Sequence, residues 1–340
     1  MMESEFEDNI WTEKHRPATF KDLAYNQKYT KAIKRLINSQ DFPHLLLYGP
    51  PGAGKRTFTR CILNEIFVLY SNYHIELSPT NNDSHDRIMV NNMIKETAES
   101  QPLKREKTKG KDFKIVVIHD LNLLSRSAQA GLRRTMEKYM SECRIIFQCE
   151  SLSRVIDPLK SRCALVRVPA PTYDTVAERM KDIAKMENLS ISTKTIDMIA
   201  RRSKRNMRKA IMLLQIYSVN FTSISDIGKA LSLGYEQIIS EILKDLISEQ
   251  SATRVKVIRN KFYQLISKGI STECIFVNLI RFLMQSDSLD SNVRYEITKL
   301  ACEYDFRSKL GARSIFHLEG FICQAMVVIK KSKIQSGYGV

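Results

Sequence analysis

No run of roughly eighteen apolar residues occurs anywhere in the 340-residue chain, and a bilayer span needs about twenty. A membrane-spanning protein is therefore not expected. No apolar stretch follows a basic N-terminus, and Glu3, Glu5, Glu7 and Asp8 make the start acidic. Neither a secretory signal nor a transit peptide is expected. The seven cysteines, at 61, 143, 149, 163, 274, 302 and 323, include no Cys-x-x-Cys pair and have no histidine doublet nearby. That odd set argues against a zinc site and gives a nucleophilic cysteine nothing to rest on, so the thiols read as reduced, in cytosol or nucleus. Acid is also scarce: 53 Lys+Arg stand against 37 Asp+Glu, a net +16. A polyanion, nucleic acid or nucleotide, is the partner to expect. The hydrophobic fraction of 43% places the chain among folded globular proteins, long enough for two or three domains.

The excess charge is not spread evenly. The first hundred residues carry a net −1, whereas residues 101–233 carry +13. Arg201, Arg202, Lys204, Arg205, Arg208 and Lys209 follow one another with no acid between them, a run that wants an anion. Lys104 to Lys111 forms a further basic stretch, read as a loop.

Pattern supplies the layout. His44 to Tyr48 is a short apolar run that ends in Gly49-Pro50-Pro51-Gly52-Ala53-Gly54-Lys55, followed by helical spacing from Thr57 to Tyr70. Lys114 to Ile118 is a second buried strand leading into His119-Asp120; Arg144 to Cys149 is a third, after a helix near Ser127 to Tyr139; Ala164 to Val168 is a fourth. Strands alternating with helices predict a parallel sheet covered on both faces. After Pro169-Ala170-Pro171 the strand signals stop, and residues 172–217 and Ile224 to Lys331 read as helices with little glycine or proline to interrupt them.

The glycine loop is the most informative motif. Gly-x-x-x-x-Gly-Lys between a strand and a helix turns backbone N–H groups onto phosphate oxygens, while Lys55 neutralises charge and the helix offers its positive end. Yet Arg56 stands where a hydroxyl should hold Mg²⁺, and Thr57, one place late, is turned by about 100° on a helix. The second strand should end in a metal-binding Asp and then a Glu that orients water, but offers His119 and the shorter Asp120. Imidazole suits Mg²⁺ poorly. The alternative register makes Asp120 itself the ligand, with Asn122 beyond it. Nucleotide binding with weak or no turnover is the expectation.

Ala128 to Tyr139, Pro158-Leu159-Lys160-Ser161-Arg162-Cys163 and Trp11-Thr12-Glu13-Lys14-His15-Arg16-Pro17 resemble the small subunits of replication factor C, the eukaryotic sliding-clamp loader of the AAA+ class. The altered magnesium positions and Gly311 to Phe321 resemble the subunit regarded as catalytically degenerate. The resemblance covers essentially the whole chain. It implies an AAA+ α/β core at 1–171, a helical lid at 172–233 and an all-α collar at 234–340. It further implies a nuclear, five-subunit spiral with four other replication factor C subunits, the sliding clamp PCNA, and primer-template duplex DNA bound through its backbone without sequence reading.

By the same resemblance, Arg162 is an arginine finger completing the neighbour's ATP site, although an isolated arginine before a strand would read as a surface residue. Glu150 occupies the place of a γ-phosphate-sensing Asn. Arg208 keeps the place of a second sensing arginine, while Arg205 replaces the glycine before it and leaves the helix start there open. Trp11, Arg16 and Pro17 lie in the segment set against the base; Trp11, the sole tryptophan, reads equally as a core anchor. Gly49, Pro50, Pro51, Gly52, Ala53, Gly54, Lys55, Arg56 and Thr57 complete the expected site for ATP or ADP, with Mg²⁺ deprived of its usual ligands and Asp120 left as a degenerate acidic position. Arg87, Asn82, Asn91 and Arg126 are candidate DNA contacts, and of the adjacent Arg133 and Arg134 one at most is expected to meet phosphate, the other facing the sheet or a neighbour. Ile66 to Tyr70 suits either an interface or the core. The alternatives to a non-hydrolysing loader subunit are a self-sufficient DNA-dependent AAA+ ATPase and a structural adaptor with a vestigial nucleotide site.

Overall fold

The computed structural model describes residues 10–23, 27–38, 42–66, 74–79, 86–99, 113–140, 142–220, 234–285, 289–311 and 313–335. Asn82, the Lys104 to Lys111 stretch and all of Ile66 to Tyr70 beyond its first residue lie outside them. The chain divides into two compact units, Met1–Ile227 and Gly228–Val340.

The first unit is built on a five-stranded, all-parallel sheet in the order β2-β3-β4-β1-β5. Its strands are β1 (Leu45–Tyr48), β2 (His74–Leu77), β3 (Lys114–Ile118), β4 (Cys143–Cys149) and β5 (Ala164–Arg167). Leu45 of β1 lies between Ile146 of β4 and Ala164 of β5, so the most apolar strands are central. Because both faces are covered, the strands read as continuous apolar runs, yet their residues still divide by the period of two. Leu45, Leu47, Ile115, Val117 and Ile146 pack on one face with Phe42, Phe58 and Ile62; Leu46, Val116, Ile118, Ile145 and Phe147 pack on the other with Ile94 and Leu132.

β2 is the strand that sequence pattern did not predict. It has four residues and carries Glu76 in its interior, a charge that an edge position tolerates. The helices of this unit are α1 (Trp11–Lys14), α2 (Gln27–Asn38), α3 (Lys55–Ile66), α4 (Asp86–Glu99), α5 (Arg126–Lys138), α6 (Asp157–Lys160), α7 (Tyr173–Met186), α8 (Thr193–Arg202) and α9 (Met207–Asn220). Ser125, Thr172 and Ser192 cap α5, α7 and α8 by accepting a backbone N–H from the first turn.

The second unit is helical throughout its described residues: α10 (Gly234–Ser248), α11 (Ala252–Ser267), α12 (Thr272–Gln285), α13 (Ser291–Leu310) and α14 (Ser314–Gln335). Phe262, Phe276 and Phe321 are fully buried at its centre, the last two edge to face at 5.5 Å. All seven cysteines are free thiols. No helix among the described residues is long and apolar enough to cross a membrane.

Candidate functional site

Strand order reverses beside β1, since the chain runs from β1 out to β2 and returns through β3 and β4 before adding β5 on the far side. A parallel sheet opens a crevice beyond its carboxyl ends at such a point. There a cleft of about 500 Å³ is lined by the glycine loop, by residues that follow β3 and β4, by the N-terminal segment and by α9.

The loop between β1 and α3 brings Pro51, Gly52, Gly54, Lys55, Arg56 and Thr57 to the cleft. Gly52 has φ +72°, and a Cβ there would stand 1.9 Å from Asn206 Oδ1. Only glycine permits both that dihedral and that approach. The Gly52 carbonyl accepts the Met207 N–H at 3.2 Å, so the loop is stitched to the start of α9. Gly49, Pro50 and Ala53 stand behind the lining; the Lys55 ammonium donates to the Gly49 and Pro50 carbonyls at 2.7 and 3.1 Å. Burial lowers the Lys55 pKa, and the carboxylates of Glu150 and Asp120 oppose that shift.

The chain leaves β3 after Ile118, so His119 is the first residue beyond the strand and Asp120 the second. His119 is 5% exposed and has both ring nitrogens engaged, Nδ1 with Gln148 Oε1 at 3.0 Å and Nε2 with Glu76 Oε2 at 2.9 Å. Gln148 Nε2 donates in turn to Thr59 Oγ1 at 2.6 Å, and Thr59 donates to the Lys55 carbonyl at 3.2 Å. A hydrogen-bonded chain thus runs from the edge strand through β3 and β4 to the helix that follows the loop. It holds Glu76 below the usual carboxylate range, chiefly through the bond from His119, against the opposing effect of burial.

Asp120 adopts a left-handed backbone, φ 47°, and its carboxylate meets the Arg56 guanidinium at 3.3 Å. It is therefore an ion-pair partner rather than a carboxylate left free to orient water. Both Arg56 and Asp120 line the cleft, with Glu150 exposed at its edge. The residues present do not fit magnesium. The hydroxyl position carries a cation, the acid position carries a histidine with no nitrogen to spare, and the Asp120 carboxylate is already paired, which leaves Glu150 alone.

α9 and the N-terminal segment form the other wall. Arg208 lines the cleft, one residue into α9, whose first turn is capped by Asn206 through the Lys209 N–H at 3.0 Å. The open question at Arg205 has a structural answer. Its backbone is left-handed, φ 65°, where glycine would be unstrained, and its guanidinium holds the turn by donating to the Pro171 and Ala170 carbonyls at 2.8 and 3.0 Å. Arg16 and Pro17 line the cleft, together with Ile10, Thr12, Glu13 and His15. Trp11 does not: its backbone N–H donates to Gln215 Oε1 of α9 at 3.2 Å and its ring sits edge-on to His15, contacts that anchor the segment. His15 bonds Glu187 at 2.6 Å and its carbonyl accepts from Arg179 at 2.9 Å, completing a clasp onto the lid helices.

Arg162 is absent from the cleft. It follows α6, is 31% exposed, and is held by Glu137 of α5 (Nε to Oε1, 2.8 Å) and by the Pro158 carbonyl at 2.8 Å. That bond draws Glu137 below the ordinary carboxylate pKa. Arg126 opens α5 and is exposed to solvent. Arg133 and Arg134 are both exposed on it, so neither faces the sheet. Arg87 and Asn91 lie on α4. Glu76, Thr59, Gln148 and His15 are the residues that sequence reasoning missed.

Three families match this chain. Residues 2–149 match the Rad17 P-loop domain, residues 178–219 the RCF1/5-like AAA+ ATPase lid domain, and residues 235–333 the C-terminal domain of replication factor C subunit 3. The probable replication factor C subunit 3 of Dictyostelium discoideum is 36% identical over 95% of this chain and 99% of its own length. Replication factor C subunit 3 of Homo sapiens is 33% identical over 95% and 97%, and subunit 5 of Oryza sativa subsp. japonica 35% identical over 95% and 98%. A solved RuvB variant from Thermotoga maritima aligns with a TM-score of 0.51 at 19% identity, covering 75% of this chain and 86% of that one, which shows the AAA+ fold.

Proposed function

Because this chain belongs to the replication factor C family, on the branch of subunits 3 and 5, we propose that it serves the loader as a nucleotide-holding, non-hydrolysing subunit that lends an arginine to its neighbour. As a member of that family it is part of a multi-subunit clamp loader that works with PCNA and DNA, and its AAA+ P-loop core binds nucleotide. The finer reading assigns it four partner subunits, a nuclear site of action and weak or no turnover of its own.

The observation that carries this reading is the separation of two roles. The chain's own cleft keeps the phosphate cradle, with Lys55, Arg16 and Arg208 around it. The positions for metal and water carry Arg56, His119 and an Asp120 already paired with Arg56. Arg162, meanwhile, stands outside that cleft, 31% exposed and held by Glu137 and the Pro158 carbonyl. A guanidinium supplied in trans stabilises charge spreading over a transferring phosphoryl group, and Arg presents its donors in a fork that matches phosphate oxygens. Displacement from Glu137 by a phosphate exchanges one charge-assisted pair for another, so release costs little.

For DNA, the exposed Arg126 at the start of α5 is a cation for phosphates, and Arg87 and Asn91, which belong to α4, are further candidates. Such contacts position a duplex without reading it. The core, lid and collar boundaries at 171 and 233 belong to the same proposal.

Co-purification is the direct test. Tagged full-length chain is expected to bring down four related subunits and, with ATP, to retain a ring-shaped clamp. A chain that purifies alone and turns over ATP, with the activity lost on Lys55→Ala, is a self-sufficient ATPase instead. A chain that holds no nucleotide either alone or assembled is a structural adaptor.

A further inference from the structure

Around the phosphate loop, the charge that a divalent metal brings in other nucleotide sites is already part of the protein. Arg56 is the residue directly after Lys55, lines the same cleft, and reaches Asp120 across its mouth at 3.3 Å. Three observations bear on what this pair does.

First, a hard cation of magnesium's size wants an octahedral set of oxygens, usually one or two carboxylates, waters and substrate phosphates. His119 is buried with both nitrogens in hydrogen bonds, Asp120 faces a guanidinium, and Glu150 alone remains. Among the described residues no three metal-ligating side chains converge. Second, a nucleoside diphosphate or triphosphate needs its negative charge balanced. The cleft lining carries Arg16, Lys55, Arg56, Arg179 and Arg208 against Glu13, Asp120 and Glu150, and Glu13 is taken by Arg16 at 2.7 Å. Third, Arg56 is about half-exposed and its guanidinium is held in the cleft by the Asp120 carboxylate, an ion pair open to solvent.

We propose that the cleft takes its nucleoside phosphate free of magnesium, with the Arg56 guanidinium at the metal's place and Asp120 as the anion it leaves on binding. A planar cation with forked donors suits phosphate oxygens and needs no carboxylate cage. Asp120 then acts as a competitor that keeps the empty cleft's charge satisfied. This inference rests on the nucleotide-cleft reading above and goes beyond it by naming what replaces the metal.

The test is titration of the full chain with a fluorescent ADP analogue in excess Mg²⁺ and in excess EDTA. Affinities within about threefold of each other are expected, and in EDTA Arg56→Ala weakens binding by about tenfold or more, the loss of one charge-assisted contact. Asp120→Asn is expected to tighten binding in both buffers, because the competing anion is gone. If wild-type binding weakens about tenfold or more in EDTA, and Asp120→Asn weakens it in Mg²⁺, a metal occupies the site and the inference is overturned. No binding in either buffer overturns the nucleotide-cleft reading and this inference with it. Arg56 and Asp120 lie on the surface, so matched melting temperatures without nucleotide keep each result interpretable.

Discussion

His119 shows how one residue redirects a site. At the end of β3 it cannot offer an oxygen to a metal, and the fold uses it instead as the middle of a hydrogen-bonded chain from Glu76 to Thr59. The pair it forms with Glu76 is linked to acid stability. Glu76 has its folded pKa depressed from 4.5, first by the bond from His119. A depressed carboxylate contributes stability that is present above its unfolded value and is lost as pH falls through the folded one. Thermal melts of wild type and Glu76→Gln, compared from neutral pH down through 4.5 and below, are expected to show a shallower acid-side decline in the variant. Parallel declines would contradict the linkage. The departures at Arg56, His119, Asp120 and Glu150 were legible because a motif fixes their spacing. Their partners were not, since Gln148 is 29 residues from His119, Glu76 is 43, and Thr59 is 89 from Gln148. Only the strand order makes them neighbours.

Among the elements, those with a continuous apolar run declared themselves. β1, β3, β4 and β5 lie within a residue of their sequence-read bounds: β1, β3 and β4 are interior strands with mainly apolar runs, and β5, though an edge strand, keeps the short apolar run Ala164-Leu165-Val166. β2 was silent, as a four-residue edge strand with a carboxylate in it has no such pattern. α5 was legible as a helix, but its tie to the sheet was not. Gln129 of α5 is 1% exposed, donates to the Leu124 and Arg154 carbonyls at 3.1 and 3.2 Å, and accepts the Ile156 N–H at 3.1 Å. One amide thereby ties the turn that follows β3 to the turn that follows β4, next to the segment that carries Arg162. Gln129→Leu keeps the volume and leaves those backbone groups without partners, at a cost of about 1–3 kcal/mol. Denaturant unfolding of the full chain, followed by a probe in the first unit, should show that loss. An unchanged midpoint would show that water replaces the amide without penalty.

For the whole molecule, composition named the class of partner but not its place. Of the net +16, +13 lies in residues 101–233, while the first hundred residues, which hold the phosphate loop, are nearly neutral. The phosphate loop's cleft is nonetheless basic, because α7 and α9 bring Arg179 and Arg208 to it from beyond residue 172. Folding thus assembles the cleft's charge from two distant stretches. Salt dependence follows from the remainder: binding of the assembled loader to duplex should weaken with ionic strength alike for unrelated sequences. The central claim is the division of labour between an own cleft that holds nucleotide and an arginine that serves the next. It is tested most directly by DNA- and clamp-stimulated ATPase activity of the assembled complex carrying either Arg162→Ala or Lys55→Ala in this chain. Arg162→Ala is predicted to lower the rate by about tenfold or more, as loss of an arginine finger does, with a far smaller effect from Lys55→Ala. Equal effects of the two substitutions, or none from Arg162→Ala, would contradict it.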